Sequence, residues 1–492
     1  MENSPFKYVL PPFAHQHNEF ESTREYQYFA HFWEMGLGKS KIVLDTAQWL
    51  FLSGKITAMV ITAEKGYYLN WMFSEFPKHW PEDIPVRIHP YSTPTSARAR
   101  KAMDAMLTPR EGTLDVLLLN IESISSTNFG GFFFANKFVE SHKSIMMVVD
   151  ESTTIKNPKA NRTKNAIKLG AKCQYRRILS GTPITQSPID LYSQCEFLRR
   201  GLLGFKSYTS FKNFYSIIQP QYLGSRVIWQ VLGYRELDDL AQRIQPFSSR
   251  LEKKDCLTLP EKVYTTVHVD PTDDQKRMIL KLHQEALALI NGKMVTAANA
   301  LALLTKSLQV AGGHIKDDDG TVGRIESNKP IALKALVESI ANDAKIIVWG
   351  YFHEDMQIIQ ETLADVCPVF EMSGRVDQGL RDAALFKFRN HRGKCVFLAS
   401  PRVAGKSLTL NEATYTIYYS NGFNLEHRLQ SEDRNHRIGQ EGTVNYYDLV
   451  CLATPDIKVV KALREKKILS DKILDQLDEY FVYTKRETLS LI

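Results

Sequence analysis

The order of its apolar runs predicts an α/β protein with two blocks of mainly parallel sheet and a helical segment between them. Runs of strand length at 28–33, 57–63, 115–121, 144–149 and 176–179 alternate with segments of helical periodicity. A second series, at 345–349, 369–372, 394–400 and 414–419, repeats the alternation beyond residue 328. Between the two, sheet-like runs fade and helical spacing takes over, as over 275–289 and 297–309. Strands joined through helices lie parallel, because each crossover returns the chain to the same end of the sheet. The expected division is a first α/β block over 1–200, a helical insertion and connector over 201–330, and a second α/β block with C-terminal helices over 331–492. Within the connector, 312–325 reads as a hairpin or long loop with Asp319-Gly320 at its tip.

A chain of 492 residues is long enough for about three domains, each with its own core. Its 43% hydrophobic and 24% charged content is that of a globular protein and sets disorder aside. A net charge of +7 suits a polyanionic partner, although over this length the excess is mild. Six cysteines, Cys173, Cys195, Cys256, Cys367, Cys395 and Cys451, lie far apart with no Cys-x-x-Cys pair, which argues against a zinc ribbon or a disulfide framework and for a reducing compartment. Residues 1–12 lack the basic-then-apolar order of a signal peptide, and runs such as 116–121 are too short to cross a bilayer. The expectation is a cytoplasmic monomer, in the host cytoplasm if the chain is viral, with no membrane partner.

Taken in order, Pro11-Pro12-Phe13-Ala14-His15-Gln16 precedes the first strand, and the Gln16 amide could pair with an adenine edge or simply lie at the surface. Tyr28 to Trp33 reads as a buried strand and Lys41 to Phe51 as a helix, with Glu34-Met35-Gly36-Leu37-Gly38-Lys39-Ser40 between them. Strand, glycine-bearing loop and helix are the context of a phosphate cradle. Gly36 and Gly38 let main-chain N–H groups approach phosphate oxygens, the helix N-terminus favours negative charge, Lys39 reaches the outer phosphates and the Ser40 hydroxyl ligates Mg²⁺. Trp33 stands where the first glycine of the full pattern belongs, so alone the loop is equally a turn before an ordinary helix. The corroboration is Ser144-Ile145-Met146-Met147-Val148-Val149-Asp150-Glu151, an apolar strand ending in two carboxylates. At a strand end in a parallel sheet, Asp150 can hold Mg²⁺ and Glu151 can polarise a water, although such a pair is often just solvated. A further strand at 176–179 runs into Ser180-Gly181-Thr182-Pro183. In the second block, Ala404-Gly405-Lys406-Ser407 is half a phosphate loop and carries no second nucleotide site. Gln430 to Gln440 reads as a polar helix with Arg434 and Arg437 three apart on one face, suited to aiming two guanidiniums at one phosphate or to a solvated basic face.

These segments together resemble the superfamily-two helicase-like ATPases, and among them the Swi/Snf family of DNA translocases, over nearly the whole chain. Glu34 to Ser40 is similar to that family's first motif, Lys65 with Trp71 and Glu75 to its next, and Asp150-Glu151 with Lys156-Asn157 to its Mg²⁺ motif. Ser180-Gly181-Thr182-Pro183-Ile184 is similar to its Thr-Gly-Thr-Pro coupling turn. Arg250, Lys253, Leu259-Pro260 and Lys262 are similar to the segment joining its lobes, and Gln430 to Gln440 to its closing motif.

The resemblance implies two RecA-like lobes that sandwich ATP. Gln16, Gly36, Leu37, Gly38, Lys39, Ser40, Asp150 and Glu151 would serve it from the first lobe, with Ser40 and Asp150 holding Mg²⁺; Gln430, Arg434 and Arg437 would serve it from the second, the arginines as fingers worth about 10³ to 10⁵ in rate. It also implies grip on the phosphates of double-stranded DNA, without sequence specificity, by Lys65, Lys156, Arg375 and Ser400, and DNA-bound proteins as further partners. The implied activity is ATP-driven translocation on duplex DNA. Strand separation is one alternative, and a nucleic-acid-binding scaffold with lost hydrolysis is another. Departures from the pattern bear on the last: Ser152 and Thr153 follow Asp-Glu where Ala or Gly and then His are usual, which puts the link between ATP state and the opposite lobe in doubt. Glu64 replaces a proline, Ser180 a threonine, and Ser407 and Thr409 a Gly and an Asn. None of these removes the lysine, the carboxylates or either arginine.

Overall fold

The computed structural model describes residues 6–125, 130–223, 226–291, 297–317, 319–401 and 408–467. The 404–407 stretch and any helix beyond 467 lie outside the described residues. Two compact units form, one from residues up to 219 with 230–257, the other from 220–229 with 258–467.

The first unit is built on a seven-stranded sheet. Its strands are β1 (Tyr28–Trp33), β2 (Ala58–Ala63), β3 (Val86–Pro90), β4 (Leu114–Asn120), β5 (Ile145–Asp150) and β6 (Tyr175–Leu179). Two further strands, β7 (Ser216–Leu223) and β8 (Arg226–Tyr234), pair in a two-stranded sheet, and β9 (Ser248–Leu251) returns to complete the large one. The order is β3-β4-β2-β5-β6-β1-β9, and its strand pairs are parallel. The apolar runs of the sequence are continuous rather than alternating because both faces are covered. Along β5, Ile145, Met147 and Val149 enter one hydrophobic cluster while Met146 and Val148 enter the other.

The second unit carries a six-stranded sheet. Its strands are β10 (Lys262–Val269), then, after a small antiparallel hairpin of β11 (His314–Lys316) and β12 (Val322–Arg324), β13 (Lys345–Trp349), β14 (Val369–Met372), β15 (Cys395–Ala399), β16 (Tyr415–Tyr418) and β17 (Val444–Cys451). The order is β10-β17-β16-β13-β15-β14, again with parallel pairs. Ile346 and Val348 pack on one side of this sheet, Ile347 and Trp349 on the other.

The expected helical insertion over 201–330 needs correction. It does contain the helices Asp273–Asn291 and Ala297–Gly312, but it also supplies an edge strand to each sheet and the β7–β8 pair. The reason β9 escapes notice is its polar sequence, Ser248-Ser249-Arg250-Leu251. It is buried beside β1, with Ala30 opposite Ser248 and Trp33 opposite Leu251, and its hydroxyls are bonded: Ser248 Oγ donates to Ile244 O at 2.8 Å and Ser249 Oγ accepts from Trp33 Nε1 at 2.9 Å. No periodicity announces a strand whose burial depends on such bonds. All six cysteines are free thiols, and among the described residues no helix is long and apolar enough to cross a membrane.

Met147 is fully buried in β5. Met147→Ala is expected to cost about 2–5 kcal/mol, read as a lower urea midpoint by circular dichroism; an unchanged midpoint would show that β5 is not a core strand.

Candidate active site

β1 brings the chain to the C-terminal edge of the first sheet, and residues 34–38 turn it into the helix Lys39–Leu52. Gly36 and Gly38 have φ of 84° and 85°, a region an L residue enters only at a cost of about 1 kcal/mol or more. At Gly38 a Cβ would also lie 2.1 Å from Gln16 Nε2. Between them Leu37 is buried against Phe20, Trp33 and Ile42, and its carbonyl accepts from Gln16 Nε2 at 3.0 Å and His15 Nε2 at 3.1 Å. Gln16 Oε1 accepts from Phe13 N at 3.1 Å. The Gln16 amide nitrogen thus braces the loop while its oxygen caps the helix Ala14–Thr23. Lys39 Nζ donates to Trp33 O at 2.7 Å and Glu34 O at 3.2 Å, keeping the ammonium at the helix N-terminus beside the strand end.

β5 ends at the same edge, one strand removed: Leu179 of β6 is opposite both His31 of β1 and Asp150 of β5. Asp150 is buried. Its Oδ2 accepts from Trp71 Nε1 at 2.9 Å and its Oδ1 from Glu151 N at 3.1 Å. Burial pushes its pKa up, against the lowering effect of the Trp71 bond, the Lys39 charge and the Glu151 N–H. Trp71 begins a single wide turn of π-helix, Trp71–Glu75, in which residues four apart come round to nearly the same side. Glu75, at its other end, therefore also approaches: Asn70 Nδ2 donates to its Oε1 at 2.9 Å. Its pKa is raised by burial first and by Asp150 second, while Lys78 and bonds to Ser40 and Asn70 oppose the rise. Tyr67 feels the same charges, its phenol raised by burial and by Asp150, Glu75 and Glu151. Glu151 itself adopts a left-handed conformation, φ 52°, before the short helix Ser152–Ile155.

The structure thus gathers Ser40, Glu75, Asp150 and Lys39 into one electrostatic group. Glu75 and Tyr67 are members that the sequence named only as part of a motif, or not at all; the Trp71-to-Glu75 spacing was the one available signal. The donor set fits a hard divalent cation: hydroxyl and carboxylate oxygens, with the Lys39 charge acting on Asp150 and the Lys78 charge on Glu75.

The Ser180–Pro183 turn, which follows β6, abuts the loop. A Cβ on Gly181 would lie 3.4 Å from Trp33 O and Met35 N. Lys253, from the segment after β9, donates its main-chain N–H to Glu34 Oε2 at 2.6 Å. Of the expected DNA contacts in this unit, Lys65 is exposed in the turn after β2, and Lys156 Nζ donates to Thr185 Oγ1.

In the second unit the arginines are not on a helix face, contrary to expectation. The helix Leu425–Glu432 stops before them. Asn435 Nδ2 donates to Ala413 O at 3.1 Å and Thr416 Oγ1 at 2.9 Å, and Gln440 Nε2 donates to Asn411 O at 3.0 Å and Asn435 O at 2.8 Å. These side-chain bonds to neighbouring strands and loops replace the helical ladder. The turn still brings the two guanidiniums together: Arg434 Nη1 and Arg437 Nη1 donate to the same Leu408 carbonyl, at 3.1 Å and 3.4 Å. Arg434 Nε also donates to Gln430 O at 2.8 Å, and Gln430 Nε2 to Glu426 Oε1 at 3.1 Å. Arg375, expected to contact DNA, is held by Glu371 through two bonds of 2.8 Å. Ser400 is buried just after β15.

Residues 31–311 match the model of the SNF2-related domain, and residues 328–439 that of the helicase conserved C-terminal domain. The chain belongs to the SNF2-related family. A Mycoplasma pneumoniae protein named as an uncharacterized ATP-dependent helicase is 25% identical over 468 residues, covering 93% of this chain and 41% of that protein. Its Mycoplasma genitalium counterpart is 26% identical over 466 residues with the same coverage, 93% and 41%. The human DNA annealing helicase and endonuclease ZRANB3 is 24% identical over 337 residues, 67% of this chain and 30% of that one. The chain spans about two fifths of the length of the Mycoplasma relatives, at 41%. Among solved structures, the Sulfolobus solfataricus SWI2/SNF2 ATPase core in complex with dsDNA is 23% identical, covers 99% of this chain and 98% of that chain, and superposes with a TM-score of 0.41.

In this SNF2-related chain, Trp71→Phe keeps a smaller aromatic ring but removes the N–H that donates to Asp150. Loss of such a supporting bond is expected to cost about tenfold or more in Mg²⁺ affinity or turnover, measured as phosphate release against Mg²⁺ concentration. A titration curve superposable on that of the wild type would show that the Trp71 bond does not support the metal site.

Proposed function

We propose that this protein is an ATP-dependent motor that hydrolyses ATP to ADP and phosphate and moves along double-stranded DNA. The observation that carries the reading is the convergence of the glycine loop, Lys39, Ser40 and the Asp150-Glu151 pair on one sheet edge, in a chain whose family models span both helicase-type domains. Phosphoryl transfer needs positioning and charge stabilisation more than covalent participation. Main-chain N–H groups at 36–40 and the Lys39 ammonium bind the phosphates. Ser40 and Asp150 would hold Mg²⁺, whose charge would offset that of the phosphate oxygens. Glu151 accepts a hydrogen bond from the attacking water and orients it. Arg434 and Arg437, already paired on one carbonyl, supply the positive charge that the transition state demands. DNA is held by its phosphates, through Lys65, Lys156, Arg375 and Ser400, so binding weakens as a power of the salt concentration and ignores sequence.

Lys39→Ala and Glu151→Gln are each expected to abolish phosphate release while leaving the thermal midpoint within a few degrees of wild type; undiminished turnover in both would rule the site out. Turnover measured in parallel with no nucleic acid, single-stranded DNA, duplex DNA and RNA is expected to rise most with duplex DNA. The helicase names of the relatives favour a second reading, strand separation. Triplex displacement without strand displacement supports translocation alone, and unwinding of a forked duplex supports the second reading.

A further inference from the structure

Ser152 occupies a position where the Swi/Snf pattern has a residue without a hydroxyl, and the structure shows what that hydroxyl does. Ser152 is fully buried, and its Oγ donates to Gln194 Oε1 at 2.6 Å. Gln194, also fully buried, lies in the helix Leu191–Leu198. Its Nε2 donates to Pro183 O and to Asp190 O, both at 2.8 Å. Two carbonyls can only accept, so the amide nitrogen must face them and the amide oxygen must face Ser152. The direction of every bond in the chain is therefore set by chemistry. Gln194 uses both its donors and its acceptor, with water excluded.

A second tie runs parallel to the first. Lys156 Nζ donates to Thr185 Oγ1, and Asp190 Oδ2 accepts from Thr185 Oγ1 at 3.0 Å, Thr185 N at 3.1 Å and Gln186 N at 2.9 Å. The segment 152–156 is thus fastened at both ends to 183–190. The turn preceding that segment lies against the phosphate loop through Gly181. Glu151, immediately before Ser152, holds a left-handed φ of 52°, a conformation that persists only where its surroundings enforce it.

We infer that Gln194 and Ser152 are positioning residues for Glu151: their bond locks the carboxylate loop to the Ser180–Pro183 turn, so that a shift of the turn reaches the water-orienting carboxylate through one buried amide. This rests on the ATPase reading above and adds to it a route, internal to the first unit, by which that turn controls hydrolysis. The Ser152 departure from the family pattern then adds a connection within the first unit and leaves the chemistry intact.

The test is a double-mutant cycle on ATP turnover with Ser152→Ala, Gln194→Met and the pair, each with its thermal midpoint measured so that rates refer to folded protein. Each single change is expected to lower kcat about tenfold with KM for ATP within about twofold of wild type. The double variant is expected to be no slower than Gln194→Met alone, because one bond can be lost only once. Near-wild-type kcat in the single variants, or losses that multiply in the double, overturns the positioning role, as does a fall in thermal midpoint with unchanged kcat. Should Gln194→Met fail to fold, Ser152→Ala, which deletes a single oxygen, decides alone. A wild-type protein that releases no phosphate overturns both the function and this role, whereas active wild type beside equally active variants overturns only this one.

Discussion

Asp150 is a carboxylate at the end of a strand that is buried on both faces, and a charge in such a place must be neutralised or hydrogen-bonded or it will be lost to protonation. The neighbourhood answers that demand from several directions at once. Trp71 and the Glu151 main chain donate hydrogen bonds, and Lys39 contributes its charge. Burial still wins on balance, and the acid is raised. Adding Glu75 nearby makes the excess of negative charge larger. Lys39 acts on Asp150 and Lys78 on Glu75, yet both acids remain raised, and clustered carboxylate and hydroxyl oxygens of this kind fit a divalent cation.

The same edge carries these carboxylates beside a loop whose glycines are tightly constrained. At Gly38 the backbone is left-handed and the space for a Cβ is already filled by Gln16. The loop is consequently held by His15 and Gln16 through the Leu37 carbonyl. Rigidity here is useful because catalysis by electrostatics depends on dipoles that are already aimed before the charge develops.

The second unit solves a different problem, that of bringing two like charges together. Guanidiniums on one helix face would repel with only solvent to screen them. In the turn after Glu432 they share a carbonyl, and the helix before it is anchored by a buried network in which Arg428 meets Asp448 and Glu432 and lies 3.6 Å over the Tyr418 ring. Glu432 illustrates how strongly charge can dominate burial: desolvation raises it, yet Lys262 and Arg428 hold it far below the usual carboxylate range.

Most of the strands were legible in the amino-acid sequence, because strands covered on both faces must be apolar along their whole length. Tyr28–Trp33, Lys345–Trp349 and Val369–Met372 fall where the apolar runs lie. The glycine loop and the Asp150-Glu151 pair were legible as strand-end segments, and the structure places both at one edge of the first sheet. What the sequence could not reveal were features maintained by partners distant along the chain. β9 is a strand because Trp33 and Ile244 satisfy its serines, and the arginines leave the helix because Asn435 and Gln440 find better acceptors elsewhere. Gln16 braces a carbonyl because the loop folds over it. Local composition determines which residues must be buried or must carry charge; only the folded chain decides which polar group meets which, since a hydrogen bond depends on separations in space that spacing along the sequence does not encode.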